Sequence, residues 1–435
     1  MDVSWLDGHV SGLAFEPEHV CKSLEQLEER FAQREPAIKA FLPEKDRFAR
    51  LRREAEEAFV AHPDPLSRSP LFGVPIGVKD VFHVDGLPTH AGSRLPPEEL
   101  TGRQAGAVTQ LRAAGALIVG KTVTTEFSYY AVGPTRNPYD PQHTPGGSSS
   151  GSAAAVAAGL CPAALGTQTI GSLIRPAAFC GVVGFKPSYG RISAEGLIPL
   201  APSLDHVGFL TSDVTGAIVL ATALLKDLKG DKFARAGHLR QPVLGIPEGP
   251  YLSHASEEGR AHFRETCDRL TSRYDVRPVP AMADFSRIMA RHHRLMAAEA
   301  SQVHADWFQR FPDLYAPQTA ELIKRGREVS PQQTKQDRAG CKTLCDELTD
   351  LMDKHGIDVW LSPSAPGAAP RRLAGTGDPV MNLPWTQAGL PTLGVPAGRN
   401  AHGLPMGLQL TGRWLGDEDL LCFGHEIARV VARAS

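Results

Sequence analysis

The chain has 435 residues, of which 42% are hydrophobic and 22% charged, and its formal net charge is −2. These values are ordinary for a soluble globular protein. Basic residues are not concentrated in one region, which argues against nucleic acid as the main partner. Seven cysteines spread over so long a chain do not indicate a disulfide framework. The first residues lack the pattern of a secretory signal, and no apolar run is long enough to span a bilayer. We therefore expect a cytoplasmic protein without a membrane partner.

The predicted elements alternate between helices and short apolar strands. The first half contains helices over 17–34, 46–62, 104–114 and 149–158, and strands over 71–78, 116–119 and 161–165. The second half contains a helix ending near 226, strands over 243–246, 359–361, 393–395 and 406–410, and a closing helix over 417–433. Such alternation is typical of α/β proteins. We predict a central mixed, mostly parallel sheet that helices cover on both faces.

The segment 250–355 differs from the rest of the chain. Its pattern is mainly helical and charged, and it contains few glycines. No linker or charge run divides the chain elsewhere. We therefore predict a single domain over residues 1–435, in which the segment 250–355 forms a helical cap or insertion bordering a substrate pocket.

Two short motifs match known signatures in a context that does not suit them. Residues 115–122 fit the phosphate-loop pattern G-x-x-x-x-G-K-[ST], but their central Ala-Leu-Ile-Val belongs in a buried strand. Residues 147–151 fit the nucleophile elbow of Ser-His-Asp hydrolases, with Ser149 as the nucleophile and His402 or His425 as a later histidine. A loop with three prolines precedes this elbow where a strand is required. The Ser149 hydrolase is kept as an alternative hypothesis.

Three polar residues stand where a close approach to a ligand is feasible. Lys79 ends an apolar strand, Ser148 lies in a double-glycine turn before a helix, and Ser172 follows the sequence Thr-Ile-Gly. Each one alone is typical of a structural role, because strand-end lysines are commonly solvated and serines in glycine-rich loops commonly cap helices. It is their combination that points to chemistry.

The residues around these three positions resemble the amidase signature family. The likeness is strongest over 144–186, which includes Pro-Gly-Gly-Ser-Ser-Ser-Gly-Ser and Gly-Thr-Gln-Thr-Ile-Gly-Ser, and it extends to 73–80, 115–126, 391–396 and 403–409. It covers most of the chain outside 250–355. The resemblance implies the fold of that family, with Ser172 as the acyl nucleophile, Ser148 as a bridging serine with a cis peptide bond, and Lys79 as the base.

The resemblance also implies how this triad would act. A serine hydroxyl needs a base to remove its proton, and a lysine can serve only if burial keeps it neutral. Lys79 would take a proton from Ser148, which would take one from Ser172. The oxyanion hole would be formed by the backbone N–H groups of Thr169, Ile170, Gly171 and Ser172. Neither a metal ion nor an organic cofactor is expected.

Departures from the commonest family pattern bear on the function. Ile170 stands where many members have glycine, Gln168 where many have aspartate, and Ser150 where glycine is frequent. These departures favour a free-standing amidase that cleaves the C–N acyl bond of a small-molecule amide, with carbamates (urethanes) and esters as further candidates. The alternatives are the Ser149 hydrolase and an acyl-transfer component of an amidotransferase complex. Self-association into a homodimer is left open.

Overall fold

The computed structural model describes residues 16–228, 233 and 240–432, and its centre is one ten-stranded sheet. The strands are β1 (Pro75–Lys79), β2 (Leu117–Thr122), β3 (Ala163–Gln168), β4 (Val183–Lys186), β5 (His206–Thr211), β6 (Leu244–Glu248), β7 (Val276–Pro280), β8 (Val359–Pro363), β9 (Thr392–Arg399) and β10 (Pro405–Thr411). The helices of the described residues are α1 (Pro17–Ile38), α2 (Arg47–Ala61), α3 (Gly106–Ala113), α4 (Ser150–Ala157), α5 (Ile174–Cys180), α6 (Val214–Leu224), α7 (Glu257–Thr271), α8 (Phe285–Val303), α9 (Ala305–Arg310), α10 (Pro317–Arg327), α11 (Pro331–His355), α12 (Leu383–Gln387) and α13 (Asp417–Ala432).

The sheet is parallel at both ends and antiparallel in the middle. Its strand order is β2-β1-β3-β5-β4-β9-β10-β8-β6-β7. Across the described strands, four pairings are parallel and five are antiparallel. The predicted mixed α/β sheet is confirmed, but the expected excess of parallel pairing is wrong. One reason is that a short hairpin joins β9 to β10, which makes these neighbours antiparallel.

Helices cover both faces of the sheet, as predicted. Successive side chains of a strand point to opposite faces, and two neighbours on β3 show where each face packs. Leu165 belongs to an apolar cluster with residues of α3, α6 and α13, whereas Ala164 belongs to another with residues of α1, α4 and α5. Every residue of β1, β2 and β3 is buried, which explains why these strands have near-continuous apolar sequences.

The segment 250–355 contains five α-helices, α7 to α11, and also one strand that the sequence pattern did not reveal. This strand, β7, pairs with β6 and forms an edge of the sheet. Pro278 and Pro280 lie in it, which is compatible with an edge position because proline cannot donate to a neighbouring strand. The segment therefore contributes to the sheet as well as to the helical layers, and its role as a cap stays a prediction.

The ends of the chain and the absence of a membrane span are also subjects of sequence-based expectations. The first residues, where no secretory signal is expected, lie outside the described residues, and so does the last residue of the predicted closing helix. Within the described part, no helix combines the length and the apolar character needed to cross a membrane.

Candidate active site

The predicted catalytic residues meet at one edge of the sheet. β1 and β3 are parallel neighbours, so their carboxyl ends lie at the same edge, where ligands of open α/β sheets commonly bind. Lys79 is the last residue of β1, and the segment 169–172 follows β3 directly. Ser148 comes from the turn before α4, which packs on β1 and β3. The strand order thus brings together residues that are far apart in the sequence.

Lys79 is fully buried and lies between two hydroxyl groups. Its Nζ is 2.7 Å from Ser148 Oγ and 2.6 Å from Thr167 Oγ1. Burial moves the pKa of Lys79 well below its ordinary value, and the negative charge of Asp205 acts in the opposite direction. A lowered pKa increases the fraction of neutral amine, which is the form that can accept a proton.

Asp205 is the acidic residue whose charge reaches Lys79. Burial raises the pKa of Asp205 to about 6, against the lowering effect of its hydrogen bonds. Thr169 Oγ1 donates to Asp205 Oδ1 at 2.5 Å, and the amides of Leu200 and Ala201 donate to Oδ2 at 2.8 and 3.0 Å. Asp205 therefore links the loop before β5 to the segment that follows β3.

Ser148 and Ser172 are in contact through the backbone amide of Ser148, whereas the expected contact was through its hydroxyl group. The described residues contain no cis peptide bond, so the bond before Ser148 is trans and the expectation of a cis bond is wrong for this structure. In the trans arrangement the amide N–H of Ser148 points at Ser172 and donates to its Oγ at 3.2 Å. The hydrogen bonds of the described chain do not include one between the two hydroxyl groups. A relay from Ser172 to Lys79 therefore requires a rotation that joins these hydroxyls.

Gly147 permits the close approach of the two serine segments. Its φ angle is +58°, and a Cβ atom there would lie 2.8 Å from Pro176 Cδ and 3.1 Å from Ser172 Cα. A side chain at position 147 would strain the backbone and push the segment of Ser172 away. The double-glycine turn is therefore required by space as well as by conformation.

The segment 169–172 is held by its carbonyl groups. His292 Nε2 is 3.0 Å from the carbonyl oxygen of Thr169, and Thr386 Oγ1 donates to that of Ile170 at 2.6 Å. Burial lowers the pKa of His292 to about 3, so the ring is neutral and Nε2–H is the donor. Within the described chain the amides of Ile170, Gly171 and Ser172 donate no hydrogen bond, and their residues line a cavity. This arrangement suits the predicted oxyanion hole, whose assignment stays a proposal.

Gln168, one of the noted departures from the family pattern, connects this segment to two helices. Its Oε1 accepts hydrogen bonds from the amides of Leu173 and Ile174 at 2.9 and 3.0 Å, at the start of α5. Its Nε2 donates to Thr386 Oγ1 of α12 at 2.9 Å. An aspartate could not supply that donor. We call Gln168 and Thr386 the clamp of the segment 169–172.

The cavity beside the two serines has aromatic, apolar and charged walls. Tyr129 and Tyr130 contribute aromatic rings, and Met296 of α8 contributes an apolar side chain from the segment 250–355. Its remaining lining residues are Ser128, Ser148, Thr169, Ile170, Gly171, Ser172, Arg175, Leu200, Thr376 and Pro379. The cavity thus contains both proposed serines and all four proposed oxyanion residues.

The structure also settles the two short motifs. Residues 117–122 form β2, and Lys121 Nζ makes a buried ion pair with Asp80 Oδ1 at 2.8 Å, so the phosphate-loop match is a strand. Ser149 Oγ donates to the carbonyl oxygen of Thr167 at 3.1 Å and accepts from its amide at 3.3 Å. No histidine of the described chain is its partner, and His402 is exposed on a turn. The Ser149 hydrolase is therefore wrong for this geometry.

Sequence reasoning missed several residues that contact the candidate site, among them Asp205, Thr167 and Thr386. Asp205 had a usable signal, because it is an isolated acidic residue directly before an apolar strand. Thr167 and Thr386 had none, since one lies within a run of small residues and the other is 218 positions from its partner Gln168. In the described part of the chain, no group of three or more His, Cys, Asp or Glu residues is arranged to hold a metal ion.

Comparisons with known proteins identify the family of this chain. The sequence model of the amidase family matches residues 22–421. A glutamyl-tRNA(Gln) amidotransferase subunit from Synechococcus sp. (strain RCC307) is 32% identical, over 97% of this chain and 95% of the relative. A solved amidase structure is 32% identical with a TM-score of 0.84, over 99% of this chain and all of that one. The native peptide amidase of Stenotrophomonas maltophilia is 25% identical with a TM-score of 0.83, over 99% and 97% of the two chains. The chain belongs to the amidase family.

Proposed function

We propose that this protein is a free-standing amidohydrolase that cleaves the C–N acyl bond of a small-molecule amide through an acyl-enzyme on Ser172. The proposal is carried by the buried series of contacts from Lys79 through Ser148 to Ser172. Lys79 Nζ contacts Ser148 Oγ, the Ser148 amide donates to Ser172 Oγ, and both serines line one cavity, where exclusion of water would strengthen every electrostatic interaction.

In the proposed reaction the triad first removes the proton of Ser172 and later returns a proton to the leaving nitrogen. Once a rotation has joined the two serine hydroxyls, neutral Lys79 takes the proton of Ser148, Ser148 takes that of Ser172, and Ser172 Oγ attacks the amide carbonyl carbon. The amides of the segment 169–172 stabilise the oxyanion, and the proton returns through Ser148 to the nitrogen that leaves. Water then attacks the acyl-enzyme, and the acid is released with the Ser172 hydroxyl restored. Esters and carbamates offer the same carbonyl to the nucleophile, so we include them as candidate substrates.

The second candidate is one component of a multi-chain amidotransferase. Its support comes from the relatives that are named as subunits of glutamyl-tRNA(Gln) amidotransferases, which are 30–34% identical over 82–97% of this chain. A component of this kind would need further chains for its full reaction. The departures at Gln168 and Ile170 and the net charge of −2 favour the free-standing enzyme.

Hydrolysis by the purified chain alone tests the proposal. We expect it to release ammonia or amine from members of a panel of primary amides, anilides and carbamates. Ser172→Ala and Lys79→Ala should each reduce kcat by about 10⁴-fold or more, as removal of a triad member does in other serine hydrolases. Ser150→Ala is the matched control, because the buried Ser150 Oγ has no hydrogen-bond partner in the structure, and it should keep its activity.

Three other results would decide differently. An inactive pure chain that gains activity when the other chains of an amidotransferase are added would establish the second candidate. Loss of activity in Ser149→Ala with retention in Lys79→Ala would restore the hydrolase elbow. Activity that survives Ser172→Ala would exclude this residue as the nucleophile.

A further inference from the structure

Arg175 is a buried cation that has no carboxylate partner in the part of the chain that the structure describes. It lies in α5, three residues after Ser172, and only 2% of it is exposed. Among the described residues its Nε and Nη1 atoms have no hydrogen-bond partner, and its Nη2 makes one long contact of 3.4 Å with Thr376 Oγ1. Three N–H bonds, one on Nε and two on Nη1, are therefore unused.

Two other buried basic residues in the described chain have carboxylate partners. Lys121 pairs with Asp80 at 2.8 Å, and Arg191 pairs with Asp417 and Glu418 at 3.4 and 2.8 Å. Burying a charge is costly unless it is paired, and an uncompensated one is strongly destabilising. An arginine held in this state indicates that its counter-charge comes from outside the chain.

The position of Arg175 shows where that counter-charge would bind. Arg175 lines the same cavity as Ser148 and Ser172. Asp378 is the acidic residue whose charge reaches it, but Asp378 is exposed and its Oδ1 accepts a hydrogen bond from the amide of Val380 at 2.9 Å. The unused donors therefore belong to the cavity in which the substrate would react.

We infer that the substrate is anionic and carries a carboxylate within a few bonds of the scissile carbonyl, and that Arg175 binds this carboxylate. The inference rests on the proposed function of the site, because it places the carboxylate relative to a carbonyl at Ser172. It names the substrate class as acidic amides, such as the monoamide of a short dicarboxylic acid or an N-acyl amino acid.

The protonation state of Arg175 agrees with this role. Burial lowers the pKa of Arg175 to about 10, against the raising effect of Tyr130 and Asp378. The guanidinium is therefore charged at neutral pH. Charge-assisted hydrogen bonds from arginine to carboxylates are short and about twice as strong as neutral ones.

Equilibrium binding tests the inference without requiring turnover. The Ser172→Ala protein is titrated calorimetrically with succinamate, glutaramate and N-acetylglycine, and with their uncharged counterparts butyramide, pentanamide and N-ethylacetamide. We expect at least one anion to bind about tenfold or more tightly than its counterpart, as hydrogen bonds to a charged group require. Adding Arg175→Gln should remove this preference, and adding Arg175→Lys should retain part of it.

The controls separate this site from general electrostatic attraction. Arg325→Gln removes an exposed arginine whose charge acts on the cavity residue Tyr129, and it should change the preference by less than about twofold because surface charges are screened by salt. Thermal unfolding of each variant shows whether it is folded. If Arg175→Gln does not fold, the preference measured with Ser172→Ala and with Arg175→Lys still decides the question.

The inference and the proposed function fail in different ways. If no anion binds better than its neutral counterpart, or if the preference survives Arg175→Gln, the carboxylate site is overturned while hydrolysis of neutral amides remains open. If the anions bind through Arg175 but the wild-type chain hydrolyses no amide, ester or carbamate, the site stands and the proposed hydrolase fails.

Discussion

Lys79 and Lys186 are both buried lysines, but the groups in contact with their amines differ. Both are fully buried, and burial lowers the pKa of each, that of Lys186 to about 7. Lys186 Nζ donates to the carbonyl oxygen of Leu390 at 2.5 Å, whereas Lys79 Nζ contacts the hydroxyls of Ser148 and Thr167. Only Lys79 is next to groups that carry a transferable proton.

The pH dependence of hydrolysis should report the protonation of Lys79. The proposed base is the neutral amine, so kcat should fall as the pH decreases through the lowered pKa of Lys79 and should reach a plateau above it. The measurement is kcat against pH for the wild type and for Lys186→Met, which removes a second fully buried amine. The acidic limb should be the same in both. A rate that stays constant down to about pH 5 would contradict the role of Lys79.

At the scale of elements, the candidate site depends on the clamp formed by Gln168 and Thr386. These residues join the end of β3, the start of α5 and the helix α12 to one short segment. No hydrogen bond of the clamp is made to Ser172, the proposed nucleophile. The clamp therefore acts by positioning the amides of the segment 169–172.

Thr386→Val tests this positioning role with little change in volume. It removes the donor to the carbonyl oxygen of Ile170 and the acceptor for Gln168 Nε2. We expect kcat to fall about 10- to 100-fold with a smaller change in KM, because donors displaced from the oxyanion lose transition-state stabilisation. Unpaired buried partners should also lower the free energy of unfolding by about 1–3 kcal/mol.

Thr411→Val is the matched control for this variant. Thr411 is fully buried at the end of β10, and its hydroxyl has no hydrogen-bond partner in the structure. Its removal should leave kcat unchanged and stability equal or slightly higher. A kcat of Thr386→Val equal to that of Thr411→Val would show that the clamp does not position the catalytic segment.

The elements that the sequence pattern predicted well are those with strong local signals. The strand before Lys79 and the helix after Ser149 follow from an apolar run and from a glycine-bounded turn. β4 has four residues and β7 contains two prolines, so local periodicity could not reveal them. The balance of parallel and antiparallel pairs was wrong because strand order depends on contacts between distant segments.

The same distinction holds for the candidate site. Lys79, Ser148 and Ser172 could be predicted because the residues around them form a long and specific pattern. Asp205 had a local signal, but the role of Thr386 and the unpaired state of Arg175 depend on which segments pack together. The orientation of the Ser148 amide toward Ser172 could not be inferred from the sequence, because it depends on one peptide torsion.

At the scale of the whole molecule, buried histidines set a limit on stability in acid. Burial lowers the pKa of His304 to about 3. The His304 ring is fully buried against Phe127 and Tyr315, with centroids 4.5 and 5.7 Å away, and its Nδ1 is 3.1 Å from the Tyr315 hydroxyl. The unfolded chain binds a proton at this histidine below about pH 6.5, whereas the folded protein does not until about pH 3.

Replacing His304 should therefore reduce the acid sensitivity of the fold. Because the unfolded state binds more protons between these pKa values, this histidine makes stability fall as the pH decreases. We expect the free energy of unfolding of the wild type, relative to that of His304→Phe, to drop by about 2–3 kcal/mol between pH 6 and pH 4. Urea unfolding at both pH values measures it. If the free energy of unfolding fell equally in the wild type and in His304→Phe, His304 would not be buried in its neutral form.

The distance in sequence between the residues that hold the candidate site has a consequence for biosynthesis. The clamp needs Thr386, 218 residues after Gln168, and both β9 and β10 of the central sheet come later still. On the ribosome, the serines are synthesised well before the residues that hold them in place. The nucleophile segment therefore stays without its clamp until almost the whole chain has emerged. Contacts of such high sequence separation also make folding slow. Catalytic competence is therefore among the last properties that the newly made protein acquires.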